Sequence, residues 1–377
     1  MHTDTTILHG YPMLDPVTGA ASISKCQTST FHQNDFPKAG QYTYTRFSNP
    51  TIHAAELAVT ALEKAKYGIA YSSGMGAISA TLLTLKSGDH IVLGKDIYGG
   101  TFQLIHDLMN NFGITYTQID ETDTGAWEKA IQENTKMFYL ETPSNPLLKI
   151  TDLQAVCQIA QKHHIISVCD NTFMTPLVQS PFELGCDVVI HSATKFLGGH
   201  SDIVMGIVLT NDEKIAQNLE KNKRILGSCP GIEESWLLLR GIKTLAVRME
   251  KACHNAQFLA ENLRTLDKVK QVYYPGLPTH DGFEINQKQA KNGGAVLSFE
   301  LENAQQVEQL FHNVTIPIVA VSLGGVESIL SYPWSMSHAC MPESDRIKAG
   351  VTPTLIRLSC GIENPEDLLH DIKDSLM

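Results

Sequence analysis

The chain has 377 residues, 43% of them hydrophobic and 18% charged, with a formal net charge of −11. That length is too great for one small core, so two domains are expected, and an acidic balance without clustered Lys and Arg excludes a nucleic-acid backbone as the natural partner. No apolar run reaches the roughly 18 residues that would cross a membrane, and MHTDTTILHGYP shows no basic segment leading into an apolar stretch, so neither a signal peptide nor a membrane partner is expected and the cytoplasm is the expected location.

Residues 1–47 are polar and turn-rich, without clear periodicity; such a segment packs across another surface, a neighbouring subunit among them. Pro50 to Lys66 reads as a helix opened by proline and rich in Ala, Leu and Glu. A short apolar run ending at Ser73 follows, and a second helix begins near Gly74. The runs HIVLG, ITYTQI, MFYLE, IISVCD, DVVIHS and IVMGIVLT are short, apolar and flanked by turn residues or helix-like stretches. They predict a largely parallel sheet with helices on both faces, complete by Thr210. Helical spacing then runs from Ile232 to Leu266 with Gly241 as a weak interruption. Beyond Pro275 the strands AVLSFEL, IPIVAV and TLIRLSC and the helix PEDLLHDIKDSL predict a smaller α+β unit. The expected division is an arm over 1–47, an α/β domain over 48–240 and an α+β domain over 241–377.

None of the eight cysteines, Cys26, Cys157, Cys169, Cys186, Cys229, Cys253, Cys340 and Cys360, has CxxC spacing. Free buried thiols in a reducing compartment are expected. His163 and His164 have no third ligand at metal spacing and read as a solvated helix end, so no metal is expected.

The chemistry-bearing pattern is HSATKFLGGHSD, residues 191 to 202, after the buried strand DVVI. Lys195 there follows Thr194 and Ser192. A lysine amine forms a Schiff base with a carbonyl cofactor, and nearby hydroxyls bind that cofactor's phosphate; a solvated lysine in a surface turn would show the same four residues. Upstream, Asp170 ends another buried strand, where it serves either as a helix N-cap or as the partner of a protonated ring nitrogen. YSSGMGAISA is a strand-to-helix turn whose small residues let backbone N–H groups reach an anion. It lacks both GxGxxG and GxxxxGK[ST], which argues against dinucleotides and ATP. Tyr98, in DIYGGTF, is placed either to stack on a planar cofactor or to fill a core. Tyr44 and Arg46, in YTYTRFSNPT, lie in a segment without a core of its own, and the arginine suits a phosphate.

Together YTRFSNPT, SSGMGAI, DIYGGT, ETPSNP, DNTF, HSATKFLGGHSD, SLGGVES and LIRLSCGIE resemble the Cys/Met-metabolism family of pyridoxal-phosphate (PLP) enzymes over essentially the whole chain. The resemblance implies the aspartate-aminotransferase-like fold (fold type I), with pyridoxal 5'-phosphate attached at Lys195, which later moves protons. It implies that Asp170 pairs with the ring nitrogen and Tyr98 stacks on the ring, both acting in catalysis. Gly74, Met75, Ser192 and Thr194 would hold the phosphate, joined from a neighbouring subunit by Tyr44 and Arg46. That makes the active unit a dimer, within a homotetramer. Arg357 would grip the substrate carboxylate with Ser322 and Asn145 assisting, and Asn145 would also touch the cofactor.

Within the family, Gly100 stands where methionine γ-lyases usually carry cysteine, and Phe47 and Gln103 stand where bacterial γ-synthases often carry arginine. The expectation is therefore a carbon–sulphur lyase acting on a small sulphur amino acid, cystathionine, mainly at Cγ. Glu327 would receive the distal ammonium. The alternative is γ-replacement on an O-acylated homoserine.

Overall fold

The computed structural model describes residues 1–336, 339 and 343–377. Seven strands form the larger sheet: β1 (Tyr67–Tyr71), β2 (His90–Gly94), β3 (Thr115–Ile119), β4 (Thr135–Glu141), β5 (Ile166–Asp170), β6 (Val188–Ser192) and β7 (Gly206–Thr210). Their order is β1-β7-β6-β5-β4-β2-β3. Neighbours from β6 to β3 pair in parallel, and β7 runs antiparallel to both β1 and β6. Every residue of β2 is buried, as expected of strands covered by helices on both faces. The mixed sheet with flanking helices makes the class α/β, as expected.

The second sheet holds β8 (Val269–Tyr273), β9 (Val296–Leu301), β10 (Ile318–Val319), β11 (Ile329–Ser331) and β12 (Leu355–Ser359), in the order β10-β11-β12-β9-β8. The strand expected over IPIVAV shrinks to two exposed residues. Pro317 has no N–H to give, and the Asp371 carboxylate takes the N–H groups of Thr315 and Ile316.

Local chemistry explains two helix boundaries. Asn49 caps the helix Pro50–Glu63 by accepting from Thr51 N–H at 2.9 Å, with proline at the first helical position. The long helix expected from Ile232 breaks into Ile232–Ile242 and Leu245–Leu263. At the break, Gly241 passes so close to the loop after β6 that a Cβ would stand 2.3 Å from Gly198 O. The Gly241 carbonyl, freed from a continuous helix, accepts from Arg248 Nη2 at 2.8 Å and from Thr244 Oγ1 at 3.2 Å.

The first eleven residues differ from a free arm. The helix Thr3–His9 buries Ile7, and Tyr11 follows it into the core shared with the helix Pro50–Glu63. From residue 12 to 47 the chain is mostly exposed or half-buried. Cys26, Cys157, Cys169, Cys186, Cys229, Cys253 and Cys360 are free thiols, and Cys340 lies outside the described residues. No helix of the described residues is long and apolar enough to cross a membrane.

Candidate active site

Because β4, β5 and β6 are parallel, their carboxyl ends present Glu141, Asp170 and Ser192 side by side. Facing them across a cavity of about 570 Å³ are Val321, Ser322, Leu323, Ser331, Met336 and Arg357 of the smaller unit. An open α/β sheet binds ligands at this end.

Lys195 enters the cavity from the turn after β6, its N–H bonded to Ser192 O at 3.2 Å. The turn is clamped from behind: Arg248, 6% exposed, donates to the carbonyls of Phe196 at 2.7 Å and Leu197 at 3.4 Å. Gly324, at φ +85°, lets the smaller unit approach, since a Cβ there would stand 3.0 Å from Lys195 Cα. Ser322 has φ +87° without being glycine, a conformation costing about 1–3 kcal/mol and characteristic of functional sites. Its hydroxyl accepts from Lys195 Nζ. Burial, and then the positive charge of Arg357, bring the Lys195 amine down to about 8.

Asp170 and Glu141 are two buried carboxyls on adjacent strands with different surroundings. Asp170 Oδ1 accepts from Thr172 N–H at 3.1 Å and Thr172 Oγ1 at 2.5 Å. Desolvation raises the Asp170 carboxyl above the usual range, against these hydrogen bonds and the charge of His191. Glu141 goes well above it, pushed by desolvation and then by Asp170. Both carboxyls are thus raised, Glu141 the further of the two, because the Thr172 hydrogen bonds oppose desolvation at Asp170. Glu141 Oε2 accepts from Tyr98 N–H at 2.7 Å. This fixes Tyr98 at the cavity mouth, where it is 45% exposed.

Gly74 opens the helix Gly74–Leu82, which Ser73 caps by accepting from Gly76 N–H at 2.9 Å. A Cβ on Gly74 would stand 3.0 Å from Ser192 Oγ, so glycine brings the helix N-terminus against β6. That end of the helix favours an anion. Thr194 Oγ1 is already tied to Met205, accepting from its N–H at 3.0 Å and donating to its carbonyl at 3.2 Å.

Arg357 is 3% exposed. It donates to Asn145 Oδ1 at 2.9 Å, to Ser322 O at 2.6 Å and to Ser331 Oγ at 3.1 Å. Its Nε has no partner, and no carboxylate lies within ion-pair distance among the described residues. Desolvation lowers it to about 10, which Glu141 opposes. A buried guanidinium with no counter-ion is costly unless a ligand supplies the anion.

The cavity thus gathers Gly74, Met75, Tyr98, Asn145, Asp170, Ser192, Thr194, Lys195, Ser322 and Arg357. Tyr44, Arg46 and Glu327 are not in its lining. Arg46 donates to Arg224 O at 2.7 Å and stands over the ring of Phe47. Glu327 accepts from Ser201 Oγ. Sequence reasoning passed over Glu141, Thr172 and Arg248. Glu141 was visible as the acid ending the strand MFYLE, and Arg248 as a lone charge among apolar helix residues.

The family model for "Cys/Met metabolism PLP-dependent enzyme" matches residues 4–377. The chain belongs to this family. Its cofactor is accordingly pyridoxal 5'-phosphate, and the cavity fits that group: a lysine amine with a depressed pKa, a buried aspartic carboxyl and a glycine-opened helix N-terminus converge there. Cystathionine beta-lyase MetC of Bacillus subtilis (strain 168) is 48% identical over 373 residues, covering 99% of this chain and 96% of the relative. Cystathionine gamma-lyase of the same organism is 45% identical over 379 residues, covering 100% and 99%. The solved cystathionine gamma-lyase of Lactobacillus plantarum superposes with a TM-score of 0.96 at 41% identity, covering 100% of this chain and 98% of that one.

Proposed function

We propose that this PLP enzyme is a carbon–sulphur lyase that breaks cystathionine by elimination, releasing a thiol, an oxo acid and ammonia. The observation that carries the reading is the buried Arg357 guanidinium, which has no carboxylate of its own and converges with Lys195 on the cavity. An α-amino acid brings the missing anion, and its Cα is then held next to an amine that can take a proton. Similarity to cystathionine lyases supports the choice of substrate.

The cofactor supplies an electron sink for the charge left at Cα. Lys195 would attach it and would take the proton from the substrate Cα. Ser322 would steer the lysine amine, Asp170 would pair with the ring nitrogen, and Tyr98 would lie against the ring. The N–H groups of Gly74 and Met75 and the Ser192 hydroxyl would hold the phosphate, with Thr194, bonded to Met205, on the same loop. Arg357 and Asn145 orient the α-carboxylate. Cleavage at Cβ and at Cγ both begin with this step, and both fit the site. Glu327, which accepts from Ser201 Oγ outside the cavity lining, is proposed to receive the distal ammonium of the substrate.

Tyr44 and Arg46 are proposed to complete the phosphate site of a neighbouring subunit, within a cytoplasmic homotetramer. Their exposure and their absence from the lining of this chain's own cavity support that arrangement. Incubation of the holoenzyme with cystathionine, followed by chromatography of the oxo acids, tests the function. Pyruvate reports cleavage at Cβ and 2-oxobutyrate cleavage at Cγ. Absence of both would overturn the proposal.

A further inference from the structure

Arg248 lines no part of the cavity, yet it is a buried cation directly behind the residue that acts there. It is the fourth residue of the helix Leu245–Leu263, near the end of a helix where a positive charge is least favoured. No carboxylate lies within ion-pair distance of it among the described residues, and burial brings it down to about 10. A guanidinium so placed is a poorer source of stability than an apolar side chain of similar volume, unless its hydrogen bonds offset the desolvation.

Those bonds run almost wholly to backbone. Nη1 donates to Phe196 O at 2.7 Å, and Nη2 donates to Gly241 O at 2.8 Å and to Leu197 O at 3.4 Å. Nε donates to Thr244 Oγ1 at 3.1 Å. Three segments therefore meet on one planar group: the turn that carries Lys195, the end of the helix Ile232–Ile242 and the start of the helix Leu245–Leu263. The fit is close, since a Cβ on Gly199, at φ +75°, would stand 2.0 Å from Nη1. Phe196 and Leu197 are both buried, so loss of the guanidinium would take these donors from carbonyls shielded from water, and the turn would shift to recover bonds. The same helix reaches the smaller unit. Its Leu245, Met249 and Ala252 share a core with Phe196 and Leu197, while its Leu259 and Leu263 pack with Phe299 of β9 and Leu358 of β12. Leu358 follows Arg357 in the chain. On the opposite side of the turn, Gly324 closes on Lys195 Cα and Ser322 accepts from Lys195 Nζ.

We propose that Arg248 is a positioning residue for Lys195: it ties the lysine's turn to the helix that joins the two units, so that the amine stands in register with Ser322 and Arg357. The inference rests on Lys195 being the residue that takes the cofactor.

Its test is the covalent capture of pyridoxal phosphate by the cofactor-free full chain, followed by stopped-flow absorbance at saturating cofactor, with thermal unfolding recorded in parallel. Arg248→Lys keeps the charge but not the planar fork, and Arg248→Met keeps the bulk but no donor. Thr244→Val removes the acceptor of Nε while leaving the guanidinium, which keeps the test open if neither Arg248 variant folds. Misplacement of a reacting group by about 1 Å costs on the order of a hundredfold. The limiting rate of capture should therefore fall roughly ten- to a hundredfold in both Arg248 variants and a few-fold in Thr244→Val, well below each thermal midpoint. Non-covalent affinity should not follow it. By equilibrium dialysis in a Lys195→Ala background, adding Arg248→Lys should leave the dissociation constant of pyridoxal phosphate within about twofold, since no phosphate contact is touched. A folded Arg248→Lys with the parental limiting rate overturns the inference alone, by reducing Arg248 to packing; Thr244→Val decides in the same way if the Arg248 variants do not fold. A dissociation constant that rises in step with the lost rate overturns it too, because the whole cofactor site has then moved. Covalent capture that persists in Lys195→Ala overturns the reading of Lys195, and the inference with it.

Discussion

Lys195 shows how a residue in a common pattern acquires chemistry from its surroundings. Its amine is brought down to about 8 by burial and by Arg357, so near neutral pH an appreciable fraction is the free base that attacks a carbonyl. The cofactor-free enzyme should therefore capture pyridoxal phosphate faster as pH rises from 6, with the rate levelling above about 8. Stopped-flow absorbance measures this directly, and a rate still climbing to pH 10 would show an ordinary lysine. Lys195 and Asp170 were legible because charged residues at the ends of buried strands are costly without a partner. Arg357 stood out for the same reason. Glu141 showed in the sequence only as an acid ending MFYLE, because its part depends on a hydrogen bond to Tyr98 N–H, 43 residues away in the chain. Glu327 read as a pocket wall from its nearness to Ser322, and in the structure its carboxylate accepts from Ser201 Oγ.

At the scale of elements, continuous apolar runs identified the strands of the larger sheet. The smaller sheet was harder to read: β8 alternates burial weakly and β11 has three residues. The break between the helices at Lys243 follows from contact with the loop after β6, which the sequence announced only through Gly241. The ends of β2 and β3 carry a further cost. The Glu121 carboxyl, desolvated and beside Asp96, is pushed up to about 7, while Lys149 pairs with Asp96 at 2.6 Å and reaches Glu121 only at 4.0 Å. A carboxyl raised on folding binds more protons in the native than in the unfolded state between its two pKa values. Stability therefore falls as pH rises from about 4.5 through 7. Glu121→Gln should flatten that slope and gain about 1–3 kcal/mol at pH 8, read from urea midpoints. An unchanged midpoint at pH 8 would mean the carboxyl ionises without penalty.

For the whole molecule, the two sheets meet at the cavity while Tyr44 and Arg46 remain outside it, on a stretch with little burial of its own. Homo-oligomers of Lys195→Ala and of Arg46→Ala should each be nearly inactive. Unfolded together and reassembled, they would form hybrids with one doubly altered site and one intact site, and substantial activity should return. Properly formed hybrids without activity would rule out sharing between subunits. The two-unit architecture could be read from the order of strands and helices. Which residues cross between subunits could not, because an arm shows only that it lacks a core.

Every role assigned to the cavity depends on Lys195 holding the cofactor there. Borohydride reduction of the holoenzyme locks the linkage, and mass spectrometry of the digest locates it. The predicted result is a single pyridoxyl-phosphate label at Lys195, within HSATKFLGGHSD. A label on any other lysine, or none, would contradict the assignment.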